Sequence, residues 1–197
     1  HDGVDIENFD NFKNTENIKK VCYVGSFYKG RGISLILYLA KKFPSLEFEL
    51  YGQNYNKISS NLKNVKILDH VDYNKVPNIL ENSDILLMPY SNNVSVRSKT
   101  LNTADYCSPL KMFDYLASGK LIMSSKLNGI CEILKHQKNS IIIDDFKFEL
   151  WEQELNKLLK NFYNIKEIQK NAFYTANEFT WVKRATKIIN NNWFKKF

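Results

Sequence analysis

Short apolar runs alternate along this chain with stretches whose apolar residues recur every three or four positions. The runs are VCYVGSF (21–27), EFELYG (47–52), VKIL (65–68), DILLMPY (84–90), KLIMSS (120–125) and SIIID (140–144). Each has the length of a strand. Several are continuously apolar rather than alternating, as expected of parallel strands covered by helices on both faces. Between them, Ile33, Ile36, Leu37, Ala40 and Phe43 trace one face of a helix over 32–43. Further helices are predicted over 74–81, 109–117 and 130–134. Pro109 suits a first helical turn, where its missing N–H is not needed; Ser108 before it is a natural N-cap and Gly119 a C-terminal stop.

After residue 145 the spacing becomes helical throughout, over 148–162, 165–176 and 181–193, with no strand between. Strand–helix alternation of the earlier kind builds βαβ units and one parallel sheet. The fold class is therefore α/β: a Rossmann-like parallel sheet of about six strands, helices on both faces, and a helical C-terminal tail. The least regular stretch, 91–107, follows the carboxyl end of a strand, where open α/β sheets bind their ligands. A connection of that length in a compact domain points to function or mobility.

Composition narrows the classes. At 197 residues the chain holds one full core but not two large α/β domains. With 44% hydrophobic and 25% charged residues it is globular rather than disordered. No apolar run approaches the roughly 20 residues that span a bilayer. The opening HDGVDIENFD is polar and acidic, unlike a secretory signal, and a start at His1 reads as a piece of something longer. Cys22, Cys107 and Cys131 are odd in number and lack CxxC spacing, which argues against a disulfide framework or zinc site and fits a reducing cytoplasm. Cys22 reads as a small apolar strand residue. The net charge is +7, but its lysines (Lys41, Lys42, Lys157, Lys160, Lys166 and Lys170 among them) are scattered with Asn over helix faces. No basic stripe is interleaved with aromatics, so nucleic acid is not the expected partner. A solvated surface or a weak contact with an anionic membrane face remains.

Two segments could carry chemistry. GSFYKGRG (25–32) lies at the first strand-to-helix turn, where glycines let backbone approach a ligand and a helix start favours phosphate. Lys29 and Arg31 add positive charge there; the dipole contributes about 0.3–1 kcal/mol and a charge-assisted Arg contact roughly 1.5–3 kcal/mol. The spacing is not that of the dinucleotide fingerprint GxGxxG, so a plain glycine turn with solvated cations is an equal reading at this point. SPLKMFDYLASGK (108–120) is the second segment. Lys111 stands in the first turn of its helix, against the dipole's preference, unless an anion comes to lie between them. Asp114, three residues on, shares its face and is either a surface partner for Lys111 or an acceptor of sugar hydroxyls. Met112, Phe113, Leu116 and Ala117 read as core.

In their order and context these segments resemble the large retaining glycosyltransferase family four, GT-B enzymes that include bacterial surface polysaccharide synthases such as those of O-antigen. HDGVDIENF looks like the family's interdomain segment and VGSFYKGRGI like its first phosphate loop. ELYG, LLMPY, SPLKMFDYLASGK and the late Thr180, Trp181, Arg184 and Ala185 follow in register, so the resemblance spans nearly the whole chain. It implies three parts: residues 1–18 as interdomain segment, 19–179 as Rossmann-like nucleotide-sugar-binding domain, and 180–197 as a helix packing toward an N-terminal domain absent from this chain. It further implies that Arg31, with Gly25 and Ser26 in the same loop, contacts the donor diphosphate. Lys111 and the backbone at Ser108, Pro109 and Leu110 contact it from the other side. Asp114 takes the ribose hydroxyls and Val71 helps hold the base.

Two departures bear on the sugar. The first acid of the family's pair falls on Tyr106, with Asp105 one residue out of register, and the second is Asp114 where Glu is usual. The implied activity is retaining transfer of a hexose or N-acetylhexosamine from a nucleotide diphosphate sugar, a UDP-sugar favoured. No cofactor and no metal on an acidic triplet are expected. Arg31, Lys111 and two helix starts stabilise the departing diphosphate, and the acceptor is a glycan or polyprenyl-linked glycan bound through the N-terminal domain. The piece alone is expected to bind donor and transfer nothing, in the cytoplasm or at the inner face of the membrane. A sugar-nucleotide epimerase of like architecture, or a non-catalytic nucleotide-binding module, are the alternatives. His70 either faces the site or is a plain loop residue.

Overall fold

The computed structural model describes residues 1–9, 12–15, 17–53, 58–91, 109–144 and 146–190. Six strands form one sheet: β1 (Lys20–Val24), β2 (Glu47–Tyr51), β3 (Val65–Leu68), β4 (Ile85–Met88), β5 (Leu121–Ser125) and β6 (Ile141–Ile143). Their order is β3-β2-β1-β4-β5-β6 and every pairing is parallel. The chain thus winds outward from β1 in one direction, then restarts beside it at β4. That reversal opens a crevice at the carboxyl ends of β1 and β4.

The helices are α1 (Ile33–Lys42), α2 (Val76–Glu81), α3 (Leu110–Ala117), α4 (Asn128–Cys131), α5 (Phe148–Leu159), α6 (Ile165–Asn177) and α7 (Trp181–Asn190). Side chains alternate across the sheet. Val21 and Tyr23 enter one core with Leu35, Leu39, Phe48 and Trp151, while Cys22 enters the other with Met112, Phe113, Tyr115 and Ile122. Hence α1 and α5 pack together, as do α3 and α6. Strands β4 and β5 are buried along their whole length, which explains why they read as unbroken apolar runs.

Several strands are shorter than the apolar runs. β1 ends at Val24 and β4 at Met88, so Phe27, Pro89 and Tyr90 belong to carboxyl-end loops. The helix predicted over 130–134 lies instead at Asn128–Cys131, followed by turns. Helix α2 is preceded by a 3-10 turn, Tyr73–Lys75. Pro109 is the N-cap of α3 rather than its first residue, and Ser108 lies outside the described residues. Gly119 sits just past the end of α3 with φ of 62°, its N–H donating to the Leu116 carbonyl at 3.1 Å.

The N-terminal segment is fastened to the far end of the helical tail. Val4 is fully buried; its N–H donates to the Phe179 carbonyl at 2.9 Å, and the Trp181 N–H donates to the Val4 carbonyl at 3.3 Å. Arg184 Nη1 meets the Asp2 carboxylate at 2.8 Å, and the buried Gln169 exchanges two hydrogen bonds with Thr15. No helix among the described residues is long and apolar enough to cross a membrane.

Candidate functional site

The loop after β1 must cross the carboxyl end of the sheet and start α1 beside the loop after β4. Gly32 makes this passage feasible. Its φ of 74° is left-handed, and a Cβ there would lie 2.0 Å from the Pro89 carbonyl oxygen. Ser91 N–H closes the contact by donating to the Gly30 carbonyl at 3.0 Å. Gly25, at φ of 150°, donates its N–H to the Tyr51 carbonyl at 2.8 Å, and a Cβ on it would lie 2.6 Å from Lys111 Nζ. The two segments singled out from sequence, remote along the chain, therefore meet at Gly25.

Two cations converge over an aromatic bed. The Arg31 guanidinium carbon lies 5.0 Å from the centre of the Tyr90 ring; Lys111 Nζ lies 5.4 Å from the same ring and 3.9 Å from that of Tyr23. Both tyrosines are fully buried, and the Tyr23 hydroxyl donates to the Ser26 carbonyl at 3.0 Å. Cation–π contact of this kind contributes about 0.5–2 kcal/mol. Arg31 Nε is buried and has no hydrogen-bond partner among the described residues. A buried donor left unmade costs about 1–3 kcal/mol, a cost that an incoming acceptor would offset. The starts of α1 and α3 tell the same way: neither has a side-chain cap or an acidic residue in its first turn. Their N–H groups are available to an anion.

Beside this centre lies a cleft of about 220 Å³ at the carboxyl ends of β1, β2 and β3, lined by Val24, Gly25, Ser26, Tyr51, Val71 and Tyr73, with Gln53, His70 and Val76. At its margin the buried Asp114 of α3 accepts the Tyr73 hydroxyl proton on Oδ1 at 2.8 Å. Burial pushes the Asp114 carboxyl up to about 6, with Asp5 adding to the shift and the Tyr73 bond opposing it. The same burial and the adjoining carboxylate raise the Tyr73 phenol, so it stays a neutral donor.

Of the sequence-predicted residues, the structure gathers Gly25, Ser26, Arg31, Lys111, Asp114 and Val71 at this edge, with Pro109 and Leu110 opening α3. His70 lines the cleft. Lys111 and Asp114 share a helix but serve different neighbours, one turned to Tyr23 and the other to Tyr73. Asp105 and Tyr106, like Ser108, lie outside the described residues. Sequence reasoning missed the tyrosines Tyr23, Tyr90 and Tyr73. A larger cavity of about 550 Å³ opens between α4, β6 and α5, lined in part by Lys126, Cys131, His136, Asp144 and Glu154. Size alone favours it, but it holds an internal Lys126–Asp144 ion pair, and neither Arg31 nor Lys111 lines it. The smaller cleft is the functional candidate.

An open parallel sheet with order 321456 and a cation-lined crevice where that order reverses defines a Rossmann-like α/β domain, its ligand edge between β1 and β4. The sequence profile of the glycosyl transferase-like family matches residues 31–190, and the chain belongs to that family. No curated protein matches the sequence. Among solved structures it is similar to HepE from Anabaena in complex with UDP and glucose, at TM-score 0.75 and 16% identity over 99% of this chain and 55% of that one. Sucrose-phosphate synthase from Thermosynechococcus elongatus gives TM-score 0.78 and 13% identity over 100% of this chain and 52% of that one. The C-terminal domain of the group 1 glycosyl transferase LpcC from Francisella tularensis gives TM-score 0.63 and 16% identity over 89% of this chain and 97% of that one. These identities establish a shared fold. The chain spans about half the length of HepE and of sucrose-phosphate synthase.

Proposed function

We propose that this chain is the donor-binding half of a retaining GT-B glycosyltransferase that takes a hexose or N-acetylhexosamine from a nucleotide diphosphate sugar. The observation that carries the reading is Arg31. Its Nε is buried without a hydrogen-bond partner among the described residues, and it faces Tyr90 together with Lys111 where α1 and α3 both start without a side-chain cap. A diphosphate supplies the missing acceptor. As the sugar leaves it, negative charge builds on the diphosphate, and preorganised cations and N–H groups stabilise that charge more than the ground state. In this arrangement the base enters the cleft beside Val71, the ribose lies by Asp114, and Gly25 and Ser26 line the phosphate path. None of these groups needs to move a proton.

UDP is favoured over GDP, in keeping with the UDP-bound HepE structure. The acceptor, a glycan or polyprenyl-linked glycan, is bound by the part of the longer protein that this chain does not contain. The exposed face of α7, with Val182, Ile188 and Ile189, is the surface that packs toward it. The basic surface provides a peripheral contact with the inner membrane face. Calorimetric titration of the chain with UDP and GDP tests this reading. Heat with at least one is expected, with Arg31→Ala and Lys111→Ala each weakening binding by about tenfold or more, the size of a charge-assisted bond. Silence with both at millimolar concentration contradicts it.

A further inference from the structure

We propose that Tyr73 and Asp114 form a two-residue clamp for a vicinal diol, Asp114 taking one hydroxyl on its free carboxylate oxygen and Tyr73 taking the other on its phenolic oxygen. The proposal rests on the donor-site reading above and assigns a recognition role to a residue, Tyr73, that neither the motifs nor the family match singles out.

The hydrogen-bond inventory leads to it. Asp114 Oδ1 already accepts the Tyr73 proton at 2.8 Å. An ionised carboxylate has two acceptor oxygens, so Oδ2 remains for a ligand. The phenol has committed its single proton to Asp114, and toward the cleft its oxygen can only accept. Donation to a carboxylate also enriches that oxygen and makes it the better acceptor. The pair therefore presents two acceptors, linked by one hydrogen bond, to a ligand carrying two neighbouring O–H donors. That is the pattern of the 2′ and 3′ hydroxyls of a ribose.

Position supports the same assignment. Asp114 is only 8% exposed, too deep to meet two hydroxyls alone, whereas Tyr73 is 51% exposed and lines the cleft beside Val71 and Val76. An Asp is one methylene shorter than a Glu, and the Tyr73 phenol restores the reach that the shorter side chain gives up. The ring is carried by the 3-10 turn Tyr73–Lys75, which is closed by the Lys75 N–H donating to the Asp72 carbonyl at 3.0 Å. Its backbone is thus fixed without the ligand.

The test is calorimetry on the wild-type chain and on Tyr73→Phe, with UDP, 2′-deoxy-UDP and 3′-deoxy-UDP, and with the same guanosine series. The wild type should bind the deoxy ligand that lacks the Tyr73 partner about fivefold more weakly than the parent, the cost of one neutral hydrogen bond. It should bind the one that lacks the Asp114 partner more weakly by about tenfold or more, the cost of a charge-assisted one. Tyr73→Phe should bind the parent about fivefold more weakly, yet bind one of the two deoxy ligands as well as the wild type does. In that pair the missing hydroxyl and the missing acceptor are the same bond. An equal loss for all three ligands assigns Tyr73 a structural role only and overturns the clamp. Failure of the wild type to bind either parent diphosphate overturns the donor-site reading and the clamp with it, before any variant is compared.

Discussion

Arg31 and Lys111 place two cationic groups over one tyrosine ring, the feature on which the proposed diphosphate seat rests. Asp114 places a carboxylate buried beside a phenol. Because its folded pKa, about 6, exceeds the roughly 3.9 of an unfolded Asp, the folded chain holds this proton between those values and the unfolded chain does not. Asp114 thus favours folding at pH 4, and that contribution fades as pH rises to 6. Ligand affinity runs the other way, since the ionised form accepts the Tyr73 proton on one oxygen and keeps the other as an acceptor for a ligand hydroxyl. Nucleotide affinity should fall as pH drops through about 6 more steeply in the wild type than in Asp114→Asn, which has no proton to gain. Parallel pH profiles for the two proteins would remove Asp114 from the binding site. At this scale the charged residues were legible in sequence: a Lys in a first helical turn and an Arg between two glycines have few structural uses. The tyrosines were not, because Tyr23 and Tyr90 sit in apolar runs where an aromatic reads as core, and their cationic partners come from other parts of the chain.

At the scale of elements, strand existence was legible and strand ends were not. Val21–Val24 and Ile85–Met88 are buried between helical layers and need apolar side chains throughout. The runs continue into Phe27 and Tyr90 for another reason: these residues wall the ligand edge and pack beside the site. A period-based reading cannot separate the two uses. The helix after β5 was misplaced because Ile130, Ile133 and Leu134 are all buried, although only the first lies in α4. The start of α1 offers a sharp test. Gly32→Ala places a methyl 2.0 Å from the Pro89 carbonyl oxygen on a left-handed backbone. The backbone alone costs about 1–3 kcal/mol and the overlap adds to it. Urea unfolding should show a lower midpoint, and nucleotide binding should weaken as Arg31 is displaced with its turn. Unchanged stability would mean that the two loops do not meet as described.

For the whole molecule, the six-stranded doubly wound sheet follows from the alternation of runs and helices, and the match to solved glycosyltransferases extends over nearly the full chain. What the pattern could not reveal is that the first residues and the last helix are joined, since Val4 bridges Thr180 across almost the entire sequence. Helix α7 leaves Val182 and Ile189 about three-quarters and two-thirds exposed, at 75% and 69%. Ile188→Ser with Ile189→Ser should therefore alter the stability of this chain by no more than about 0.5 kcal/mol. If α7 packs toward the rest of a longer protein, as proposed, the same pair should lower that protein's melting temperature; equal tolerance in both would place the interdomain contact elsewhere. The central claim concerns where a nucleotide diphosphate sits. A crystal structure of the chain with UDP decides it most directly: the diphosphate should lie between Arg31 and Lys111 at the starts of α1 and α3, with the ribose at Asp114 and the base beside Val71. Density for UDP in the larger cavity by Lys126 and His136, with the α1–α3 crevice empty, would contradict the account.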